Sequence, residues 1–251
     1  MELKMPGILS HYRLNKAYTF ENYICSAKNK YAVKLLESSV ADSKSKFNPL
    51  YIYGETGSGK THLLHATANN MLILNPKLKI VFINAEDYMN HFIAAIRYDE
   101  KHKFRAFFEN RIDALFIDDI HYISSMEGTQ EELYSIFNSL LEKQKKIIVS
   151  SYYPPELSQG YNEQLSSIMQ GSVAAEIFAP NKINLRKIIK HKAKVMELIL
   201  SAEMIEVIIR ETKGNMKRLN AFLDTFDNYL YRKEKDPDLE AVRGVLEYGE
   251  W

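Results

Sequence analysis

The sequence predicts an α/β fold in which helices cover both faces of a five-stranded parallel sheet, followed by a small all-helical domain. Short apolar runs alternate with longer segments of helical periodicity, and strands separated by helices indicate a parallel sheet. Beyond residue 180 only helical periodicity continues. We therefore expect an α/β domain at residues 1–180 and a helical lid domain at residues 181–251.

Five apolar runs predict the strands, and the last run is the weakest. They are Leu50–Tyr53, Ile80–Asn84, Ala114–Ile117, Ile147–Ser151 and Ala175–Phe178. Helical patterns lie between them at residues 60–74, 86–110 and 129–144. Thr129 and Glu132 have the spacing of a capping box, which predicts that the third of these helices begins there.

The part after residue 181 begins with an amphipathic helix. Its apolar face is predicted to hold Leu185, Ile188, Ile189, Met196 and Ile199, and its basic positions off that face are Lys182, Arg186, Lys190 and Lys194. These basic positions could contact nucleic-acid phosphates, but a solvated face is the favoured interpretation. Gly214 is expected to end a later helix and Asn215 to cap the next one.

Composition and charge limit the functional classes. The chain has 33 Lys and Arg against 32 Asp and Glu, a balance that disfavours a strongly electrostatic nucleic-acid binder without excluding a local basic patch. Cys25 is the single cysteine, so the chain can form neither an internal disulfide nor a cysteine-based metal site. Residues 1–13 lack the apolar centre of a signal peptide, and no apolar run reaches the roughly 18–20 residues that span a bilayer. We expect a soluble cytoplasmic protein without membrane contact.

Residues 54–61 fit the phosphate-loop pattern G-x-x-x-x-G-K-[ST], between a predicted strand and a predicted helix. Glycines let successive N–H groups face phosphates, and the positive end of the helix dipole adds to them. We expect ATP or ADP with Mg²⁺ as the ligand, with Lys60 reaching the β- and γ-phosphates and the Thr61 hydroxyl on the metal. The expected binding residues are Gly54, Glu55, Thr56, Gly57, Ser58, Gly59, Lys60 and Thr61.

Two carboxylates follow the third predicted strand. Asp118 is expected to hold the Mg²⁺ shell through water, and Asp119 to orient or deprotonate the attacking water as a catalytic residue. Two aspartates after a strand are, taken alone, more often a turn or a helix cap. Their place roughly sixty residues after the phosphate loop favours the metal site.

Several segments around these motifs carry a family resemblance. They are residues 18–23, 48–54, 59–65, 117–122 and 129–132, and the match extends through 150–151 and 154–155 to 214–216. Together they resemble the ATPase domain of the bacterial replication initiator DnaA, of the AAA+ class, over roughly residues 16–232. The resemblance implies an AAA+ fold, an adenine near Phe20 and Tyr23, His62 as a further nucleotide-binding residue, and a lid residue, Lys217, that contacts the phosphates.

The chain departs from that family pattern at three places. Members assemble head to tail, and an arginine of one subunit completes the ATP site of the next, but Ile168 occupies this position here and residues 161–171 contain no arginine. Such an arginine is worth about 10³–10⁵ in turnover. Tyr152 and Tyr153 stand where the family usually has Asp-Arg. Lys217 replaces an arginine without its bidentate fork, so it is either a phosphate contact or a solvated helix-start residue.

DNA-facing features of the family are also missing. Met126 and Gly128 lie in a loop where the family carries basic residues that touch single-stranded DNA, and the sequence ends at Trp251. We therefore expect a DnaA-like or Hda-like protein without the helix-turn-helix domain, and weak or absent DNA binding. Head-to-tail self-association is left open.

Three functional hypotheses follow. The favoured one is a nucleotide-dependent binding module with weak or absent hydrolysis that docks on DnaA or a related AAA+ replication protein. The alternative is an active ATPase of the initiator or helicase-loader type, which the altered arginine and sensor positions disfavour. A stand-alone DNA-binding initiator is the third, and the missing DNA-reading parts count against it.

Overall fold

The computed structural model describes residues 14–41, 47–157, 159–233 and 235–248. The prediction that no signal peptide is present falls on residues outside these ranges. The chain divides into two compact units, which we describe separately. The first is built mainly from Lys28–Glu55 and Gly59–Ile177, and the second from the segment that begins at Phe178, with the short segments Ile24–Ala27 and Thr56–Ser58. Their assignment as a nucleotide-binding domain and a lid is a proposal.

A five-stranded parallel sheet lies at the centre of the first unit, as the sequence predicts. Its strands are β1 (Leu50–Tyr53), β2 (Ile80–Asn84), β3 (Ala114–Asp118), β4 (Lys146–Ser151) and β5 (Val173–Glu176). They are ordered β2-β3-β4-β1-β5, and every neighbouring pair is parallel. Because β4 lies between β1 and β3, the carboxyl ends of these three strands meet at one edge, where α/β sheets bind ligands.

Helices pack on both faces of this sheet, which confirms the predicted fold class. They are α1 (Lys30–Ala41), α2 (Lys60–Leu74), α3 (Ala85–Arg97), α4 (Lys101–Arg111), α5 (Glu127–Glu142) and α6 (Glu163–Gln170). Successive strand residues point to opposite faces. Leu115 and Ile117 therefore join the apolar layer of α3 to α6, and Phe116 joins the layer of α1 and α2. We call these the first and second apolar layers.

The single helix predicted at residues 86–110 is wrong, because the structure has α3 and α4 there. The chain turns at Asp99, whose left-handed φ of 56° ends the helical path. The Glu100 N–H then donates to the Ala95 carbonyl at 2.7 Å. The turn brings Phe92 of α3 within 5.6 Å of Phe104 of α4, ring centre to ring centre. Tertiary packing of these aromatic rings therefore overrides a continuous helical periodicity.

The predicted capping box is also wrong. Helix α5 begins at Glu127, before Thr129, and no side chain caps its first turn. Thr129 and Glu132 are both buried within the helix. The Glu132 carboxylate instead accepts two hydrogen bonds from Arg105 of α4, each of 2.7 Å. An acid at the right spacing for a local cap is thus used for a long-range ion pair.

The fifth strand lies two residues earlier than predicted. Val173 pairs with Leu50 and Glu176 with Tyr53, so β5 ends where β1 ends. The apolar residue Ile177 follows the strand, and its N–H donates to the Tyr53 carbonyl at 2.7 Å. The apolar run that predicts the strand therefore continues beyond it.

Four helices form the described part of the second unit. They are α7 (Lys182–Val195), α8 (Ala202–Glu211), α9 (Met216–Lys233) and α10 (Leu239–Tyr248), around a separate apolar core that includes Leu185, Ile189, Ile208, Leu219, Phe222 and Val242. Gly214 adopts a φ of 65° after α8. The Asn215 side chain accepts hydrogen bonds from the N–H groups of Lys217 and Arg218, which confirms the predicted cap.

Ile199 does not lie on the apolar face of α7, contrary to prediction. The helix ends at Val195, and Glu197 has a left-handed φ of 58°, so the periodicity is broken before Ile199. Its side chain is 85% exposed. Among the described helices of both units, none is long and apolar enough to cross a membrane.

Candidate functional site

The phosphate loop connects β1 to α2 at the carboxyl edge of the sheet. Gly57 and Gly59 have φ values of 82° and 104°, in the left-handed region that side chains disfavour. A Cβ on Gly59 would lie 2.9 Å from the Tyr23 ring carbon Cε2, so this position excludes a side chain for a second reason. The loop also joins the sheet, since the Gly54 N–H donates to the Ser151 carbonyl at 3.2 Å.

Lys60 begins α2, and its amine lies inside the loop. The Nζ atom donates to the carbonyls of Gly54 and Glu55 at 2.8 and 3.1 Å. Burial lowers the pKa of Lys60, whereas the nearby carboxylates Asp119 and Asp118 oppose that shift. A buried cation is therefore held beside the backbone groups that the sequence predicts around the phosphates.

Hydroxyl groups from two other elements donate hydrogen bonds to the Asp118 carboxylate at the end of β3. The Thr61 hydroxyl of α2 donates to Asp118 Oδ2 at 2.6 Å, and the Ser150 hydroxyl of β4 donates to Asp118 Oδ1. Ser150 Oγ in turn accepts from the Asp119 N–H at 2.8 Å. Both oxygens of the buried Asp118 carboxylate thus have a protein donor, and the ends of β3, β4 and α2 are tied together.

These residues fit a magnesium ion. Hydroxyl and carboxylate oxygens are the ligands that Mg²⁺ prefers, and Mg²⁺ keeps several waters and substrate phosphates in its shell. The Thr61 hydroxyl donates its hydrogen bond to Asp118, which leaves the lone pairs of the hydroxyl oxygen available to a cation. No group of three His, Cys, Asp or Glu that could hold a metal occurs among the described residues, so Thr61 and Asp118 would share the ion with water and phosphate.

Asp119 follows β3 in a left-handed conformation, with φ 53° and ψ 49°. Burial and the adjacent Asp118 raise the pKa of this carboxyl, and Lys60 opposes the shift. A carboxyl with a raised pKa beside a phosphate loop suits a general base. This role for Asp119 stays a prediction.

Sequence reasoning missed Ser150 as a site residue. It is fully buried near the end of β4, after the three apolar residues Ile147, Ile148 and Val149. A pair of serines closing an otherwise apolar central strand is the signal that could have identified it, because a buried hydroxyl needs a hydrogen-bond partner.

The aromatic residues predicted near adenine lie together beside the loop. The rings of Tyr23 and His62 are 5.3 Å apart, and His62 Nε2 lies 2.8 Å from the Thr19 carbonyl oxygen. Asn29 donates to the Tyr23 hydroxyl at 2.9 Å. Phe20 and Tyr23 both pack against the second apolar layer. The structure therefore brings these predicted contacts together, and their adenine-binding role remains a proposal.

Four of the predicted binding residues belong to the second unit. Lys217 is exposed at the start of α9, where its N–H donates to the Asn215 side chain at 2.9 Å. Ser58 of the loop has a buried hydroxyl without a hydrogen-bond partner among the described residues. The phosphate-binding roles of Lys217 and of Thr56, Gly57 and Ser58 stay predictions.

Ile168, at the position aligned with the family's arginine, lies on α6. Its side chain is partly buried and packs against the first apolar layer. The exposed residues of α6 are Glu163, Gln164, Ser167 and Gln170, so this helix presents no cation. An isoleucine at this position serves packing.

A phosphate loop after β1, an acid at the end of β3 and the order β2-β3-β4-β1-β5 define a P-loop domain of the AAA+ class. Residues 14–176 match the family described as the bacterial DnaA ATPase domain. The chain belongs to this family.

Individual relatives agree with this assignment. The chain is 35% identical over 239 residues to the chromosomal replication initiator protein DnaA of Buchnera aphidicola subsp. Cinara cedri, covering 95% of this chain and 54% of that protein. It therefore spans about half the length of that relative. Domain III of the Thermotoga maritima replication initiation protein DnaA superposes with a TM-score of 0.87 at 26% identity, over 94% of this chain and 98% of that one. AMPPCP-bound DnaA from Aquifex aeolicus superposes with a TM-score of 0.73 at 31% identity, over 88% and 69%.

Proposed function

We propose that this chain binds ATP or ADP with Mg²⁺ and acts in bacterial replication initiation as a binding module that docks on DnaA or a related AAA+ protein, with weak or absent hydrolysis. One observation carries the proposal. The buried Lys60 amine beside the loop carbonyls and the Thr61–Asp118 hydrogen bond support nucleotide and metal binding. Ile168, at the position where an arginine would serve a neighbour, packs against the first apolar layer.

The nucleotide part of the proposal is supported by chemistry and by a relative. Backbone N–H groups at a glycine-rich loop and a helix start, with a lysine beside them, favour a polyphosphate. The Aquifex aeolicus DnaA structure holds AMPPCP, an ATP analogue. We infer that the phosphates lie along residues 54–61, with the adenine near Tyr23 and His62.

The docking part of the proposal follows from a difference between the two surfaces through which such a subunit assembles. Assemblies that grow head to tail use two different surfaces of each subunit. A subunit that accepts an arginine at its nucleotide site, but offers none from α6, can join an assembly on one side and ends it on the other. The chain would then act as an ATP-dependent cap.

Mixing this chain with the DnaA of the same cell and ATP is expected to shorten DnaA assemblies, because each docked copy stops growth. Mass photometry of the mixtures measures the length distribution. ADP in place of ATP, and the Lys60→Ala variant with ATP, are expected to leave the length unchanged. Unaltered length with the wild-type chain, or equal shortening by Lys60→Ala, would contradict the cap.

Slow turnover separates the proposal from the alternative of an active ATPase. Enzymes typically turn over at about 1–10³ s⁻¹, and an absent arginine finger removes about 10³–10⁵. We expect phosphate release by the purified chain to be at least about a thousandfold slower than that range. Any residual rate is expected to fall further in Asp119→Asn with ATP affinity retained. Rapid release by the chain alone would support the active ATPase.

Weak DNA binding is part of the proposal. Two of the predicted basic positions on α7, Lys182 and Arg186, form ion pairs with Glu206 of α8, and these cations lower the pKa of Glu206 to about 2. Neutralised cations release fewer counterions from DNA phosphates. Tight, sequence-selective duplex binding at physiological salt would favour the stand-alone initiator instead.

A further inference from the structure

Two sequence segments of the first unit contain acidic residues but no lysine or arginine. Residues 118–142 contain six acidic side chains and residues 147–177 contain three, without a single Lys or Arg in either segment. The three lysines between them, at 143, 145 and 146, precede or begin β4 and so lie at the opposite end of that strand from its carboxyl edge. In a chain with a net charge of +1, this is a marked separation of charge.

Exposed aromatic residues collect on the same segments. The rings of Tyr152 and Tyr153 meet edge to face at 4.9 Å, and His121 stacks on Tyr122 at 4.7 Å. His121 also lies 6.3 Å from each of the two neighbouring tyrosine rings, so the four rings form one cluster. Tyr122, Tyr152 and Tyr153 are 58%, 39% and 48% exposed. Large aromatic side chains grouped at a surface mark an interaction site.

The two loops that carry these rings are fixed to each other. Gln130 is 1% exposed, and its amide donates to the carbonyls of Ile123 and Gly160 at 3.0 and 2.8 Å. Its oxygen accepts from the Asn162 N–H at 2.6 Å, and the Ser125 N–H donates to Gly160 at 2.7 Å. The Tyr152 N–H also donates to His121 Nδ1 at 3.3 Å, so the aromatic cluster lies on a hydrogen-bonded platform, which lowers the entropy that a partner would have to overcome.

Four exposed carboxylates lie on the same chain segments as this platform. Glu127 and Glu131 lie on the first two turns of α5, Glu156 follows the tyrosine pair, and Glu163 begins α6. We call the rings and these four acids the acidic aromatic surface; it comprises residues 121–131, 152–157 and 159–163. Phosphate-bearing partners would be repelled by it. A cation is attracted both to the carboxylates and to the faces of the tyrosine rings.

We propose that the acidic aromatic surface binds a protein segment that presents arginine side chains. A guanidinium group stacks on aromatic faces and forms bidentate hydrogen bonds with carboxylates, whereas an ammonium group is a compact and strongly hydrated charge. The segment places one guanidinium against Tyr152 and Tyr153 and within reach of Glu156. The proposal rests on the proposed function only in expecting that the AAA+ partner supplies this segment.

The proposal is tested with short peptides and the full chain carrying isotope-labelled tyrosine. Titration with Gly-Arg-Gly-Arg-Gly is expected to shift the ring signals of Tyr122, Tyr152 and Tyr153. The lysine counterpart is expected to bind roughly two- to fivefold more weakly, because an ammonium group neither stacks flat on a ring nor pairs with a carboxylate through two hydrogen bonds. Tyr152→Leu keeps an apolar side chain without the aromatic face, and a similar loss is expected for the arginine peptide.

Matched variants separate the surface from general effects. Tyr122→Leu provides a second aromatic variant, and Glu156→Gln is expected to weaken the salt dependence of binding. Tyr231→Leu changes a tyrosine that is 86% exposed in the second unit and is expected to leave peptide binding unaltered. Unchanged thermal unfolding shows that each variant is folded.

Two outcomes would overturn the proposal. In the first, the arginine and lysine peptides bind equally well, and neither Tyr152→Leu nor Tyr122→Leu changes their binding. That result would mean ordinary attraction between opposite charges. Tighter binding of an oligothymidylate to the same three rings would identify a nucleic-acid surface. The peptide experiment uses neither nucleotide nor DnaA, so its failure is independent of the capping experiment.

Discussion

Lys60→Ala is expected to lower the affinity for Mg-ATP by roughly thirtyfold to a few thousandfold. Removing one partner of a desolvated charge pair costs about 2–5 kcal/mol, and about 1.4 kcal/mol corresponds to a tenfold change in affinity. The Lys60 side chain is only 6% exposed, so water screens its interaction with a phosphate poorly. A fluorescent ATP analogue displaced by unlabelled ATP, with and without Mg²⁺, measures the change.

The same variant is expected to remain folded. Burial already disfavours the charged form of Lys60, and its hydrogen bonds go to two loop carbonyls that are not part of either apolar layer. Lys77→Ala, which changes an exposed lysine after α2, is the control and should bind ATP like the wild-type chain. If Lys60→Ala and Lys77→Ala bound ATP equally well, residues 54–61 would not be a nucleotide site.

The sheet could be predicted because most of its strands are buried along their length and consist mainly of apolar residues. Strands such as Ala114–Asp118 and Lys146–Ser151 are buried along their whole length, so their apolar runs mark them without any tertiary knowledge. Edge strand β5 is only partly buried, and its boundaries are therefore misplaced. The break at Asp99 depends on aromatic contacts between α3 and α4, which the sequence does not encode locally.

The candidate site shows the same division. The loop at residues 54–61 is predictable because its glycines, lysine and threonine are consecutive, and Asp118 is predictable because it ends an apolar strand. The serine pair that ends β4 is a weak signal for Ser150, and its contact with Asp118 could not be assigned, because that contact joins residues that are 32 positions apart. The spacing of Glu132 from Thr129 predicts a local cap, because its true partner, Arg105, lies 27 positions away and gives no local signal.

The second large effect is expected at the ion pair between Arg105 and Glu132. Arg105→Met is expected to lower the free energy of unfolding of the first unit by about 2–4 kcal/mol, because it leaves a buried carboxylate with too little compensation. The Glu132 side chain is 0% exposed, and Lys101, at 3.3 Å, is the other ion-pair partner it has among the described residues. Urea unfolding followed by tyrosine fluorescence measures the loss.

Two further variants show whether the buried charge is the cause. Lys103→Met removes an ion pair with Glu100 whose side chains are 41% and 28% exposed, and it should change stability by only about 0–1 kcal/mol. Combining Arg105→Met with Glu132→Leu removes both charges, and most of the lost stability should return, since apolar replacements of a buried pair are often neutral. Two results would contradict this role of the buried charge: a loss of stability in Arg105→Met no larger than in Lys103→Met, or no recovery of stability in the double variant. Glu132 would then be solvated or neutral in the folded protein, and its pairing with Arg105 would not account for the missing cap of α5.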